Sequence, residues 1–238
     1  MKEEIINKIK SHGYWRVNLR PIVFSKKLSL AESEKIIEKN SVEFRGWDYP
    51  HIPRRHGDDT GSLRSSDYVE AWVDWSYFKE YWRMYRSTQF LHYIGFRVDW
   101  MNERDSSFGI HDKAPMADTE LGVIDITYQL TEIFEFISRL IQDGLYENGV
   151  EVKISLHNLV GRKLVIDNPK RVGFMVEKIT GANEHSYSKV FSKDEILSDS
   201  KKPALQMILQ IFELFKWDDP PIDTIKKDQE DLLLKKFY

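Results

Sequence analysis

Apolar and polar positions alternate over residues 14–20: Trp15, Val17 and Leu19 are apolar, while Arg16, Asn18 and Arg20 are polar. A period of two predicts a half-buried strand, closed by Pro21. Ahead of it, Ile5, Ile6 and Ile9 suit a short helix that stops near Gly13. Ser29 and Glu32 have capping-box spacing, and Leu30, Ile36 and Ile37 carry a helix to Asn40. A second strand is expected over 42–47, stopped by Pro50. Residues 50–67 hold two prolines and two glycines among Asp and Ser, which predicts a long surface loop.

Between 68 and 100 stand twelve of the chain's 31 aromatic residues. Helical stripes do not organise them, but alternation does. Tyr81, Arg83 and Tyr85 oppose Trp82 and Met84, and Phe90, His92 and Ile94 oppose Leu91 and Tyr93, so antiparallel sheet is expected, turning at Ser87-Thr88. Residues 102–120 are polar and read as irregular. Ile126, Leu130, Ile133, Phe134, Ile137, Leu140 and Ile141 then make one helical stripe, with Asp125, Gln129, Glu132, Glu135 and Arg139 on a face read as solvated and Gly144 placed to end the helix.

Val150, Val152, Ile154 and Leu156 alternate with polar residues, and 158–161 reads as a turn into a hairpin partner over 162–167. A short strand is expected over 186–191. From Pro203 to Trp217 apolar residues cover most of a helix, which is therefore buried or meets a partner; a homo-oligomer is open on this ground. The charged tail from 223, with Leu232, Leu233 and Leu234, predicts a docking helix. The sum is an α+β fold, with antiparallel, aromatic-rich sheet packed against two long helices. It is read as a single domain over 1–238, or two tightly packed lobes, 1–104 and 121–238.

Composition narrows the function classes. At 238 residues with 41% hydrophobic and 31% charged side chains, the chain can bury a core without staples. No apolar run reaches the roughly 18 residues of a membrane span, and the N-terminus leads into no signal-peptide core, so a cytoplasmic protein is expected. There is no cysteine, which removes disulfides and thiol chemistry. The net charge of −3 argues against double-stranded nucleic acid as a partner. No Gly-rich phosphate loop and no Gly-x-Ser-x-Gly is present, and no motif calls for a cofactor.

The densest chemistry lies in 45–59. Arg45, Trp47, Asp48, Tyr49 and His51 stand where a strand gives way to a loop, the place from which a scaffold aims side chains. These five are the candidate ligand-binding residues: Arg45 to pair an anionic group, Trp47 and Tyr49 to stack, Asp48 and His51 to orient. From 41 to 104 arginine replaces lysine almost completely, which suits bidentate contacts to carboxylate or phosphate. Nine basic against ten acidic residues in that window favour internal pairs. A metal-dependent phosphoester hydrolase is the alternative, with Asp48, His51, His56 and Asp58 as ligands, though loop spacing constrains them little. A third reading is a protein that stacks single-stranded nucleic acid on its aromatics. The leading expectation is a non-enzymatic module for a small anionic ligand or a protein partner.

The run Arg45-Gly46-Trp47-Asp48-Tyr49-Pro50-His51-Ile52 resembles a segment shared by a group of bacterial proteins of unassigned function. Further similarity lies in Tyr81-Trp82-Arg83-Met84-Tyr85 and in the two main helices. Some members accompany a schlafen-type, AlbA-like nucleic-acid-binding domain, and the resemblance implies a regulatory or defence setting.

Overall fold

The computed structural model describes residues 2–24, 27–55, 57–103 and 117–235. Its centre is a seven-stranded antiparallel sheet. The strands are β1 (Tyr14–Pro21), β4 (Thr60–Arg64), β5 (Tyr68–Trp75), β6 (Phe78–Tyr85), β7 (Phe90–Gly95), β9 (Val150–His157) and β12 (Glu184–Phe191). They lie in the order β12-β9-β1-β7-β6-β5-β4, so β1 is bonded to β7 on one side and β9 on the other. Two small sheets flank it: β2 (Val42–Glu43) with β3 (Asp48–Tyr49), and β8 (Glu120–Gly122), β10 (Lys163–Val165) and β11 (Lys178–Ile179).

Alternation decides which face each side chain takes. Trp15, Val17, Leu19, Trp82, Met84, Phe90, Ile94, Val152 and Ile154 enter one large core. Against this face lies α3 (Val123–Gln142), fifteen of whose twenty residues are buried. Helices α2 (Leu30–Asn40), α4 (Lys193–Ser198), α5 (Lys201–Leu214) and α6 (Ile222–Leu233) pack on α3. The opposite face carries α1 (Lys2–Lys10), whose Ile5 and Ile9 meet Tyr14 and Tyr81. The α+β class, the aromatic antiparallel sheet and the two long helices are as the sequence predicts. Among the described residues no helix is long and apolar enough to cross a membrane.

Four local expectations are corrected. The strand expected over 42–47 is a hairpin instead: Gly46 at φ +74° lets the chain reverse, and Asp48 returns to pair with Glu43. The loop expected over 50–67 contains β4. Its Thr-Gly-Ser-Leu-Arg sequence has no apolar alternation because β4 is an edge strand, and Gly61 is there to admit an indole, since a Cβ would stand 2.7 Å from the Trp72 ring. Residues 162–167 do not form a hairpin with β9, both of whose edges are already taken; β10 pairs in parallel with β8. Glu132 is buried on α3, not solvated, because Arg45 reaches it from the β2–β3 turn. The polar stretch 102–120 lies largely outside the described residues.

The nearly all-round apolar helix is α5, and its burial is internal. Ala204, Met207, Ile208, Ile211 and Phe212 face the core, and α6 covers it through Ile225 and Leu232.

Candidate functional site

Residues 45–52 form a clasp between α3 and the turn end of the β5–β6 hairpin. Arg45 turns inward. Its guanidinium donates to Glu132 at 3.0 and 2.5 Å, to Asp125 at 3.0 Å and to Gln129 at 3.4 Å, all on α3. Burial alone would lower the Arg45 pKa, but the Glu132 and Asp125 carboxylates outweigh it and hold the charge. At the other end of the clasp Glu80, on the core face of β6, accepts three donors. These are the Trp47 indole N–H at 2.9 Å, the His51 backbone N–H at 3.3 Å and His92 Nε2 at 3.2 Å. Trp82 Nε1 donates to the His51 carbonyl at 2.7 Å. Two polar side chains of one strand therefore fix the loop's backbone.

Asp48 ties the clasp from within. One carboxylate oxygen meets His51 Nδ1 at 2.7 Å and the other accepts the Ile52 N–H at 3.1 Å. Burial raises the Asp48 carboxyl, but these bonds prevail and leave it below the usual range. Glu80 is lowered in the same manner: burial opposes ionisation, and His92, His51 and Trp47 overcome it. Tyr49, next to the cis Tyr49-Pro50 bond, lies in the core against His92 and Phe136. Burial, with the Glu80 and Glu132 carboxylates behind it, keeps its hydroxyl protonated well above the ordinary range.

Trp47 is held by its faces. His51 lies 4.1 Å from its ring centroid at 14°, and Phe78 lies 3.7 Å away at 7°. Two rings that parallel and that close cannot share a face, so the indole is sandwiched between them. The Arg97 guanidinium stands 4.5 Å from the Phe78 centroid and continues the column. Its pKa is lowered by burial and then by Arg45, against the pull of Asp125, Glu132 and Glu80. Beside the column Trp75 lies 5.8 Å from Trp47 at 28° and is 50% exposed.

Outside the clasp opens a cleft of about 390 Å³, lined by Glu43, Gly46, Trp47, Asp48, His51, Arg54, Arg55, Asp59, Thr60, Val73 and Trp75. Of the five candidate residues, the structure brings Trp47, Asp48 and His51 to this cleft. Arg45 and Tyr49 face α3 and the core. His51 meets Asp48 through Nδ1, and its Nε2 has no partner among the described residues. The exposed Arg55 pairs with the half-buried Asp59 at 3.3 Å, while Arg54 has no ion pair among the described residues.

Of the four metal candidates, Asp48 and His51 are bonded to each other, Asp58 does not line the cleft, and His56 lies outside the described residues. Among the described residues no three carboxylate or imidazole side chains stand together as a metal-binding group. Sequence reasoning missed Glu80 and Trp75. Glu80 left a signal, because it interrupts the apolar positions of β6 between Phe78 and Trp82. Trp75 was visible only as one member of the aromatic cluster over 72–82, with nothing to mark it as the one left 50% exposed. No family model, no curated protein and no solved structure matches the chain.

Proposed function

We propose that the chain is a binding module rather than an enzyme, and that the cleft beside Trp47 holds a small anionic ligand. One observation carries this reading: an open cavity of about 390 Å³ is lined by Arg54 and Arg55 together with the half-exposed Trp75. Small-molecule sites have this size, mixing an apolar wall with a few polar groups. Asp48 and His51 hold each other and the loop backbone, as a scaffold requires. The resemblance of residues 45–51 to the schlafen-associated group favours a regulatory or defence setting in a bacterial cytoplasm.

The test is a fluorescence titration with inorganic phosphate, sulfate and a mononucleotide, read through the tryptophans. Saturable quenching by at least one of them is expected, and an Arg54→Ala/Arg55→Ala variant of unchanged stability should lose it. A flat response to all three would refute the reading.

A further inference from the structure

We infer that the ligand of this cleft is a nucleotide, free or at the end of a strand; the inference rests on the anion-binding reading above. A site for a bare anion would be lined by donors and cations alone. This one is also lined by the acidic residues Glu43, Asp48 and Asp59 beside Arg54 and Arg55. Asp48 is engaged by His51 and the Ile52 N–H, so its charge is answered within the clasp. Asp59 is likewise answered by Arg55, which leaves Glu43 at the wall, where it repels a bare phosphate but accepts hydrogen bonds from hydroxyls. Ribose supplies two such donors, and acidic side chains serve ribose in this way at dinucleotide sites.

The third element is a ring platform. Trp47 cannot serve, because His51 and Phe78 cover both its faces. Trp75 can, since half its surface is open. Gly46 leaves room in front of the clasp: among the described residues, its two chain neighbours apart, no atom lies within 4 Å of where its Cβ would stand. Indole, carboxylate and guanidinium in one cleft correspond to base, ribose and phosphate. His51 Nε2 adds a hydrogen-bonding atom for a base edge or a ribose hydroxyl.

The experiment compares inorganic phosphate, ribose phosphate and adenosine monophosphate by calorimetry on the full chain. Affinity should rise along that series. The adenine ring should contribute about tenfold or more over ribose phosphate, the scale of one base stacked on an aromatic side chain. Trp75→Ala should abolish that last step while leaving ribose phosphate binding in place, and circular dichroism checks that the variant is folded. Glu43→Gln should bring ribose phosphate down to the level of inorganic phosphate. If phosphate binds and adenosine monophosphate binds no more tightly, the inference is overturned and the anion reading survives. If none of the three binds, both fall. A phosphorylated trinucleotide separates the two sources: tighter binding than the monomer assigns a strand end, and weaker binding assigns a free nucleotide.

Discussion

Arg45 and Glu132 show how a charge is misread one residue at a time. They lie 87 positions apart, and each looks like a surface group in its own segment. Together they are a nearly buried pair, with side chains 11% and 2% exposed. Removing one partner of such a pair costs about 3–5 kcal/mol, because the other charge is left without its counterion. Arg45→Met is therefore expected to lose stability on that scale in urea unfolding, and Glu132→Gln in the same background should restore part of it. The lowered carboxyls of Asp48 and Glu80 give a second outcome. Their contribution is complete above about pH 4, where unfolded carboxylates ionise, and is lost as pH falls through the lower folded values. Asp48→Asn should accordingly flatten the acid limb of the stability curve below about pH 4; an acid limb as steep as the parent's would contradict the Asp48–His51 bond.

At the scale of elements, helix ends reveal where the chain relies on local sequence and where on neighbours. α2 is capped by its own Ser29 and Glu32, which bond reciprocally as the sequence predicts. α3 has no such device: Gly122 at its N-cap offers no side chain, and Asp167, from beyond β10, accepts the N–H groups of Ile124 and Asp125 at 2.7 and 3.0 Å. This long-range cap explains why residues after β9 leave the main sheet: they must reach the start of α3. Asp167→Ala should cost about 1 kcal/mol, the usual worth of an N-cap, measured by thermal or urea unfolding. A larger loss would mean that the small sheet unravels with it. The β6–β7 hairpin and the alternation of β1 and β9 were legible, since a repeated pattern of two states its own register. β4 was not, because edge strands need no apolar face.

Across the whole molecule the joints are buried polar nodes. Arg162 is fully buried and grips Asp99 with two bonds of 2.8 and 2.6 Å, Asp118 at 2.6 Å and the Glu120 carbonyl at 3.2 Å. Asp99 in turn accepts the Gly13 N–H at 2.9 Å. One guanidinium thus joins the turn between α1 and β1, the 3-10 helix over Arg97–Glu103, and the small sheet. Arg162→Met should destabilise the chain by about 3–5 kcal/mol through the stranded Asp99 charge, with α1 and the small sheet exchanging amide hydrogens first. Arg45 does the same work along the first half of α3, through Asp125, Gln129 and Glu132.

Sequence by itself determined the class of fold, the helices other than α4, the strands β1, β6, β7, β9 and β12, and the segment that forms the clasp of the candidate site. Periodicity and caps act over a few residues, and those residues are contiguous in the chain. Tertiary structure alone decided which of the five candidate residues face the cleft. Whether Arg45 points to a ligand or to α3 depends on where Glu132 arrives, and Trp47 loses both faces only because Phe78 and His51 meet there. Such choices are made by groups far apart in sequence competing for one partner in a dry environment, and no local pattern encodes the outcome of that competition.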